Sequence, residues 1–323
     1  DDNGEINYEE SLSNYKLHYD LYSKNNEDSE WWVKCRKEFK DLFINSDGSI
    51  NESALSSFRG SSDPSAAILN DSSRLLNYKI SEKVRKINSL RLIMLFHQLA
   101  ERIDTKTLIL NSESYVGSPP ILKYRGLNLT QRILRYSYYL SSLSNNLPFL
   151  FDDEKRLIVD IGGGYGGLIR SMAHYYRNHT YIICELPETI LLSEYYLKNC
   201  FINKKFLHIN KLDLIDDLKK EDLLKYDFVF ITPDIFFKIE TRIIDLTINT
   251  TSLGEMKAEV QQKYINSIEK NSKYFYSVNR YEDRKDKYNT IGFKSLSFEQ
   301  NWLPIHINYT HTYHYEYLGK NLG

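Results

Sequence analysis

The chain has 323 residues, enough for one large domain or two modest ones with a sizeable core. A net charge of −1 with dispersed lysines and arginines excludes a basic face for nucleic acid, and no apolar run is long enough to cross a bilayer. Cys35, Cys184 and Cys200 form no metal or redox spacing, and so sparse and odd a count suits a reducing, cytoplasmic compartment.

Residues 1–30 are polar, do not read as a signal peptide, and are expected to be frayed or weakly helical. Trp31-Trp32 opens an amphipathic helix to about Phe43. Asp63-Pro64 has the form of a helix cap with proline at the first helical position. Residues 80–102 repeat Ile80, Val84, Ile87, Leu90 and Met94 at helical spacing and predict an interior helix, with His97 read as structural. Glu113-Ser-Tyr-Val-Gly-Ser-Pro-Pro120 is a loop with a fixed, tight path, and a helix follows over 129–143. Leu147-Pro148 marks a boundary. The expected division is a mostly helical region over 1–150 and a Rossmann-like α/β domain over 151–323.

From Leu157 the chain alternates. Strands are predicted at 156–161, 180–185, 228–234, 243–249 and 274–278, with helices at 166–177, 188–199 and 255–270 between them. Two more β-rich runs, 303–309 and 313–318, flank the tip Thr310-His311-Thr312. Strands separated by helices imply a mainly parallel, doubly wound sheet, and the closing hairpin implies an antiparallel last strand.

The most informative stretch is Leu157-Ile-Val-Asp-Ile-Gly-Gly-Gly-Tyr-Gly-Gly-Leu168. A buried strand turns sharply into a helix, and glycine lets the backbone take unusual angles and meet a ligand closely. Two templates fit. Gly162, Gly164 and Gly167 satisfy a dinucleotide fingerprint, with Glu185 near the distance for a ribose-binding acid. Asp160, Gly162, Gly164 and Gly166 satisfy instead the acid-x-G-x-G-x-G pattern of class I S-adenosylmethionine-dependent methyltransferases. The second is favoured because Asp160 would repel a pyrophosphate but can accept hydrogen bonds around a cationic amino-acid moiety. The turn Glu185-Leu-Pro187 also resembles that of many O-methyltransferases.

Taken in order, Val116-Gly-Ser-Pro119, Leu134-Arg-Tyr136, Asp160–Gly166, Glu185-Leu-Pro187, Asp245-Leu with Asn249-Thr-Thr-Ser-Leu-Gly-Glu-Met256, and Tyr276-Ser-Val-Asn-Arg280 resemble the bacterial sugar O-methyltransferases. The match runs from about residue 110 to 280. It implies a class I methyltransferase sheet, S-adenosyl-L-methionine as cofactor and a hydroxyl of a sugar as acceptor. A small-molecule aromatic acceptor, a non-catalytic binding protein of the same fold and a nicotinamide enzyme remain alternatives.

In such a sheet ligands sit beyond the carboxyl ends of the strands. Asp160, Gly162, Gly164 and Gly166 are then candidates for the methionine portion, Glu185 for the ribose, Thr232 and Asp234 for the adenine side, and Asn249 for the methyl-donor side. A sugar hydroxyl is a poor nucleophile, so a general base is expected within reach: Glu255 first, His311 second. Glu113, Tyr115 and Gly117 are candidates for acceptor contact, with their loop part of a lid. No dedicated metal-ligand spacing is present, although Asp245 and Glu255 belong to one strand–helix unit. Whether the chain forms a homo-oligomer is left open.

Overall fold

Apolar runs alternating with amphipathic helices pair into a largely parallel sheet, and that is the architecture of the computed structural model. It describes residues 7–23, 30–60, 81–211, 219–239, 241–283, 290–298, 301–310 and 314–323. The N-terminal part supplies α1 (Tyr8–Tyr22), α2 (Glu30–Phe43), α3 (Glu52–Ser56), α4 (Glu82–Ala100) and α5 (Thr105–Leu110). A small hairpin of β1 (Leu122–Tyr124) and β2 (Leu127–Leu129) precedes α6 (Gln131–Asn146). Asn7, Asn51, Asp104 and Thr130 cap four of these helices, each side-chain oxygen accepting from the backbone N–H three residues on.

The rest alternates as β3 (Arg156–Ile161), α7 (Gly167–Tyr175), β4 (His179–Cys184), α8 (Pro187–Cys200), β5 (Phe206–Ile209), α9 (Lys220–Leu223), β6 (Phe228–Ile231), α10 (Pro233–Lys238), β7 (Ile244–Thr250), α11 (Ala258–Asn271), β8 (Ser272–Asn279), β9 (Trp302–Tyr309) and β10 (Tyr315–Asn321). The strand order is β5-β6-β4-β3-β7-β8-β10-β9. Strands β5 to β8 are parallel, and β10 runs antiparallel to both β8 and β9. Successive β3 residues face opposite sides: Ile158 joins an apolar cluster with Phe39, Leu143 and Met172, whereas Val159 joins another with Ile265 and Phe275. The first cluster carries the N-terminal helices directly on the sheet.

The expected mainly parallel sheet with an antiparallel end is therefore present, and three local expectations are corrected. Residues 8–22 form a capped helix whose buried face is Tyr15, His18 and Tyr22 rather than aliphatic residues. In α4 the buried stripe is Asn88, Leu92, Phe96 and Leu99, while Ile87, Leu90 and Met94 are exposed. Strand β5 is an additional edge strand that the sequence pattern did not reveal. The proposed cap at Asp63-Pro64 lies outside the described residues.

Candidate functional site

Strand β3 turns after Ile161 into a loop where Gly162, Gly164 and Gly166 have φ of +67°, +59° and +85°. These are left-handed angles that glycine adopts without steric cost. At 162 there is a second reason, since a Cβ would collide with the Ser252 side chain arriving from the end of β7. Gly166 serves as the left-handed N-cap of α7. The loop thus lies at the switch point between β4 and β7, on the carboxyl edge of the sheet.

A cavity of about 640 Å³ opens over that edge. Its floor includes Gly162, Gly164, Glu185, Leu186, Pro233, Asp234 and the Thr250-Thr251-Ser252 turn. Thr251 has φ of +64°, a strained angle for a β-branched residue, and this turn is where the backbone meets the glycine loop. Asn249 organises the meeting. Its amide donates to the Ile161 carbonyl and to Ser252, while its Oδ1 accepts from Leu253 N–H and the Asn279 amide.

Two carboxyl groups define the electrostatics. Asp160, fully buried beneath the loop, has no hydrogen-bond partner on either oxygen among the described residues. Burial, with nearby Glu185 adding repulsion, raises its pKa well above the ordinary range. Glu185 Oε1 accepts from Gly164 N–H at 2.8 Å and Oε2 from Leu186 N–H at 2.8 Å. Burial nevertheless pushes its pKa up to about 7. Each Glu185 oxygen retains capacity for a further donor.

The N-terminal helices close the other side with Tyr22, Trp32 and Phe39, and α6 adds Arg132 and Arg135. Two clasps fix them there. Arg36 of α2 donates to both oxygens of Glu188, just past the Glu185-Leu-Pro turn. Arg59 pairs with buried Glu113 at 2.7 Å and lies over the rings of Tyr165 and Tyr196. The second clasp bears on the glycine loop itself through Tyr165.

Of the residues singled out from the sequence, Gly162, Gly164, Glu185, Asp234 and Glu255 line the cavity. Asp160 lies directly beneath it, since a Cβ at Gly163 would meet its carboxylate. The geometry corrects other assignments. Asn249 and Thr232 are fully buried behind the lining, Asn249 as a brace between strands. Glu113 is held by Arg59 and by the Thr130 hydroxyl, Tyr115 points outward at 60 % exposure, and Gly117 packs against Phe58. That loop braces the scaffold; the cavity wall comes instead from α1, α2 and α6. Asp245 sits at the opposite end of β7, paired with Lys220 and Lys273 and remote from Glu255 along the strand. His311 lies outside the described residues. Among the described residues no group of three His, Cys, Asp or Glu side chains could hold a metal ion.

His314 escaped the sequence reading. It lines the main cavity and also a smaller recess of about 150 Å³ that includes Thr251, Glu255, Asn279 and Arg280. Glu255 and His314 therefore flank the place where the two spaces meet. The antiparallel pairing of β10 with β8, which sets Tyr315 opposite Asn279, brings His314 to this edge.

No known family profile matches the chain, and no curated protein matches its sequence. Among solved structures it is similar to the PH0226 protein from Pyrococcus horikoshii OT3, at 12% identity and a TM-score of 0.38, over 57% of this chain and 91% of that one. It is also similar to an O-methyltransferase family protein from Burkholderia thailandensis, at 11% identity and a TM-score of 0.35, over 59% of each chain. No described helix is long and apolar enough to cross a membrane.

Proposed function

We propose that the chain is an S-adenosyl-L-methionine-dependent O-methyltransferase acting on a sugar hydroxyl. One observation carries the cofactor choice: two buried carboxyl groups, Asp160 and Glu185, crowd the glycine loop, and both are pushed toward the neutral form. A cationic ligand relieves that arrangement, whereas a pyrophosphate aggravates it. The nicotinamide alternative is disfavoured on this ground.

The residues fit the group. Gly164 leaves open space where a Cβ would stand, Asp160 offers beneath the loop two acceptor oxygens with no hydrogen-bond partner among the described residues, and Glu185 has acceptor capacity for ribose hydroxyls. When bound, S-adenosylmethionine supplies a methyl group on a sulfonium centre. The protein's own contribution is alignment and exclusion of water by the Tyr22, Trp32 and Phe39 wall. Glu255, exposed at the junction of the two spaces, takes the acceptor's hydroxyl proton on a carboxylate oxygen, and His314 flanks the same junction. The sugar acceptor rests on the sequence resemblance of the Asn249–Met256 block. In this reading residues 1–150 are a helical unit that walls the acceptor side, and 151–323 hold the cofactor.

The aromatic wall also favours a second reading, an aromatic small-molecule acceptor. Transfer of labelled methyl from S-adenosylmethionine to a panel of monosaccharides, sugar phosphates and phenols separates the two. Label on phenols alone contradicts the sugar assignment, and label on nothing while the cofactor binds favours a binding protein.

A further inference from the structure

Helix α4 is apolar on two opposite faces, and the fold uses one of them. Leu92, Phe96 and Leu99 point into the core, where the helix packs on α6. Ile87, Leu90 and Met94 stand on the outer face at 42, 60 and 62 % exposure. A surface helix ordinarily turns one apolar face to the core and a polar face to water. Large apolar side chains in a row on the outside mark a surface that a partner covers.

The outer strip has a regular spacing. Lys83, Ile87, Leu90, Met94, His97 and Glu101 are all exposed and follow one another at intervals of four, three, four, three and four residues. That alternation is the heptad seam of a two-helix contact. The middle of the seam is apolar and its ends carry opposite charges, Lys83 in the first turn and Glu101 directly after the last helical residue. His97 adds a ring held by the Tyr124 hydroxyl at 2.8 Å.

This distribution selects the partner. A second copy laid antiparallel about a two-fold axis at residue 92 sets Leu90 against the partner's Met94 and Ile87 against the partner's His97. The same operation sets Lys83 against the partner's Glu101, and the axis repeats each pair, so both ends join opposite charges. A parallel copy would set lysine on lysine and glutamate on glutamate. Strand β9 also exposes Leu303, Ile305, Ile307 and Tyr309 at the sheet edge. It carries no Lys, Arg, Asp or Glu, however, and Pro304 has no N–H to offer a further strand. It therefore lacks a comparable pattern of self-recognition.

We infer that the outer face of α4 is a dimer interface in which two copies of this chain pair antiparallel, with Lys83 meeting Glu101 at each end. One helix pair of this length falls at the small end of specific interfaces, so the dimer is reversible.

The test is sedimentation equilibrium of the full chain from about 1 to 200 µM, with thermal melting to check that each variant is folded. The parent should pass from monomer to dimer within that range. Met94→Lys, beside the two-fold axis, should raise the half-dimerisation concentration by about tenfold or more, and Leu90→Lys should do the same. Lys83→Glu and Glu101→Lys, each alone, should weaken the dimer by about threefold, because both ends then join like charges. The two changes together should restore the parent's value. Ile307→Lys in β9 should leave the dimer unchanged. A parent that stays monomeric across the whole range overturns the inference, whatever else covers the face. So does a dimer indifferent to both Met94→Lys and Leu90→Lys, or one abolished instead by Ile307→Lys. A double charge exchange as weak as the single changes overturns the antiparallel pairing.

Discussion

Replacing Glu185 by glutamine turns the electrostatics of the glycine loop into a measurable stability change. The glutamate's pKa is 4.5 ordinarily and about 7 in the fold, because burial outweighs the help of the Gly164 and Leu186 N–H groups. Between those two values the folded state binds more proton than the unfolded state, so stability falls as pH rises through this window. At roughly 1.4 kcal/mol per pKa unit, ionised Glu185 costs the fold about 3 kcal/mol at pH 8 relative to pH 4.5. Glutamine keeps the shape and an acceptor oxygen but does not titrate. Urea unfolding of both proteins from pH 4.5 to 8 should therefore show the variant gaining on the parent by about 3 kcal/mol, with the gain levelling off above pH 7. Asp160 titrates in both proteins and largely cancels in the comparison. Stability curves that stay parallel across the window would refute the claim that Glu185 is buried against its charge.

Gly162→Ala sets a Cβ against Ser252 at a φ of +67°, and should lower S-adenosylhomocysteine affinity at least tenfold by titration calorimetry, with a stability loss of about 1–3 kcal/mol. Arg59→Met leaves Glu113 buried and unpaired, which should cost about 3–5 kcal/mol in denaturant unfolding. Arg59→Met combined with Glu113→Gln should recover part of that loss; a fully additive double variant would show that the pair is not coupled. Glu255→Gln should slow turnover by roughly 10²–10⁴ while leaving S-adenosylhomocysteine affinity near the parent value. Near-normal turnover in that variant would move the proton to another group, with His314→Gln the next to assay.

Strands β3, β4 and β6 were legible in the sequence as apolar runs, and β7 as Ile244, Leu246 and Ile248 alternating with Asp245, Thr247 and Asn249; all four are almost wholly buried, and period and length suffice to find such segments. The glycine loop was equally plain. Helix α1 was not, because it buries Tyr15, His18 and Tyr22, residue types that pattern reading counts as surface or ambiguous. In α4 the leucines at 90, 92, 95 and 99 leave two helical stripes of similar hydrophobicity, and only packing against the rest of the fold decides that 92 and 99 go inward. Strand β5 is four residues long at a sheet edge, too short and too exposed to stand out. At the site, Asp160, Gly162, Gly164 and Glu185 stand close together along β3, its loop and β4, so spacing revealed them. His314 and Arg132 arrive from distant elements through tertiary packing and no local signal marks them, whereas Arg135 stood inside the Leu134-Arg-Tyr136 motif with no role read for it. Asn249 drew notice for its block of polar residues, yet its polarity serves strand-end hydrogen bonds rather than a ligand.

The most direct measurement is a calorimetric titration of the purified chain with S-adenosylmethionine, S-adenosylhomocysteine and oxidised and reduced nicotinamide dinucleotides under one set of conditions. Saturable one-to-one binding of both sulfur nucleosides is expected, with no detectable heat of binding from the dinucleotides. Glu185→Ala should weaken S-adenosylhomocysteine binding by about 1.5–3 kcal/mol, the loss of a charge-assisted hydrogen bond. Binding of a dinucleotide without either sulfur nucleoside, or an unchanged affinity in Glu185→Ala, would contradict the cofactor assignment.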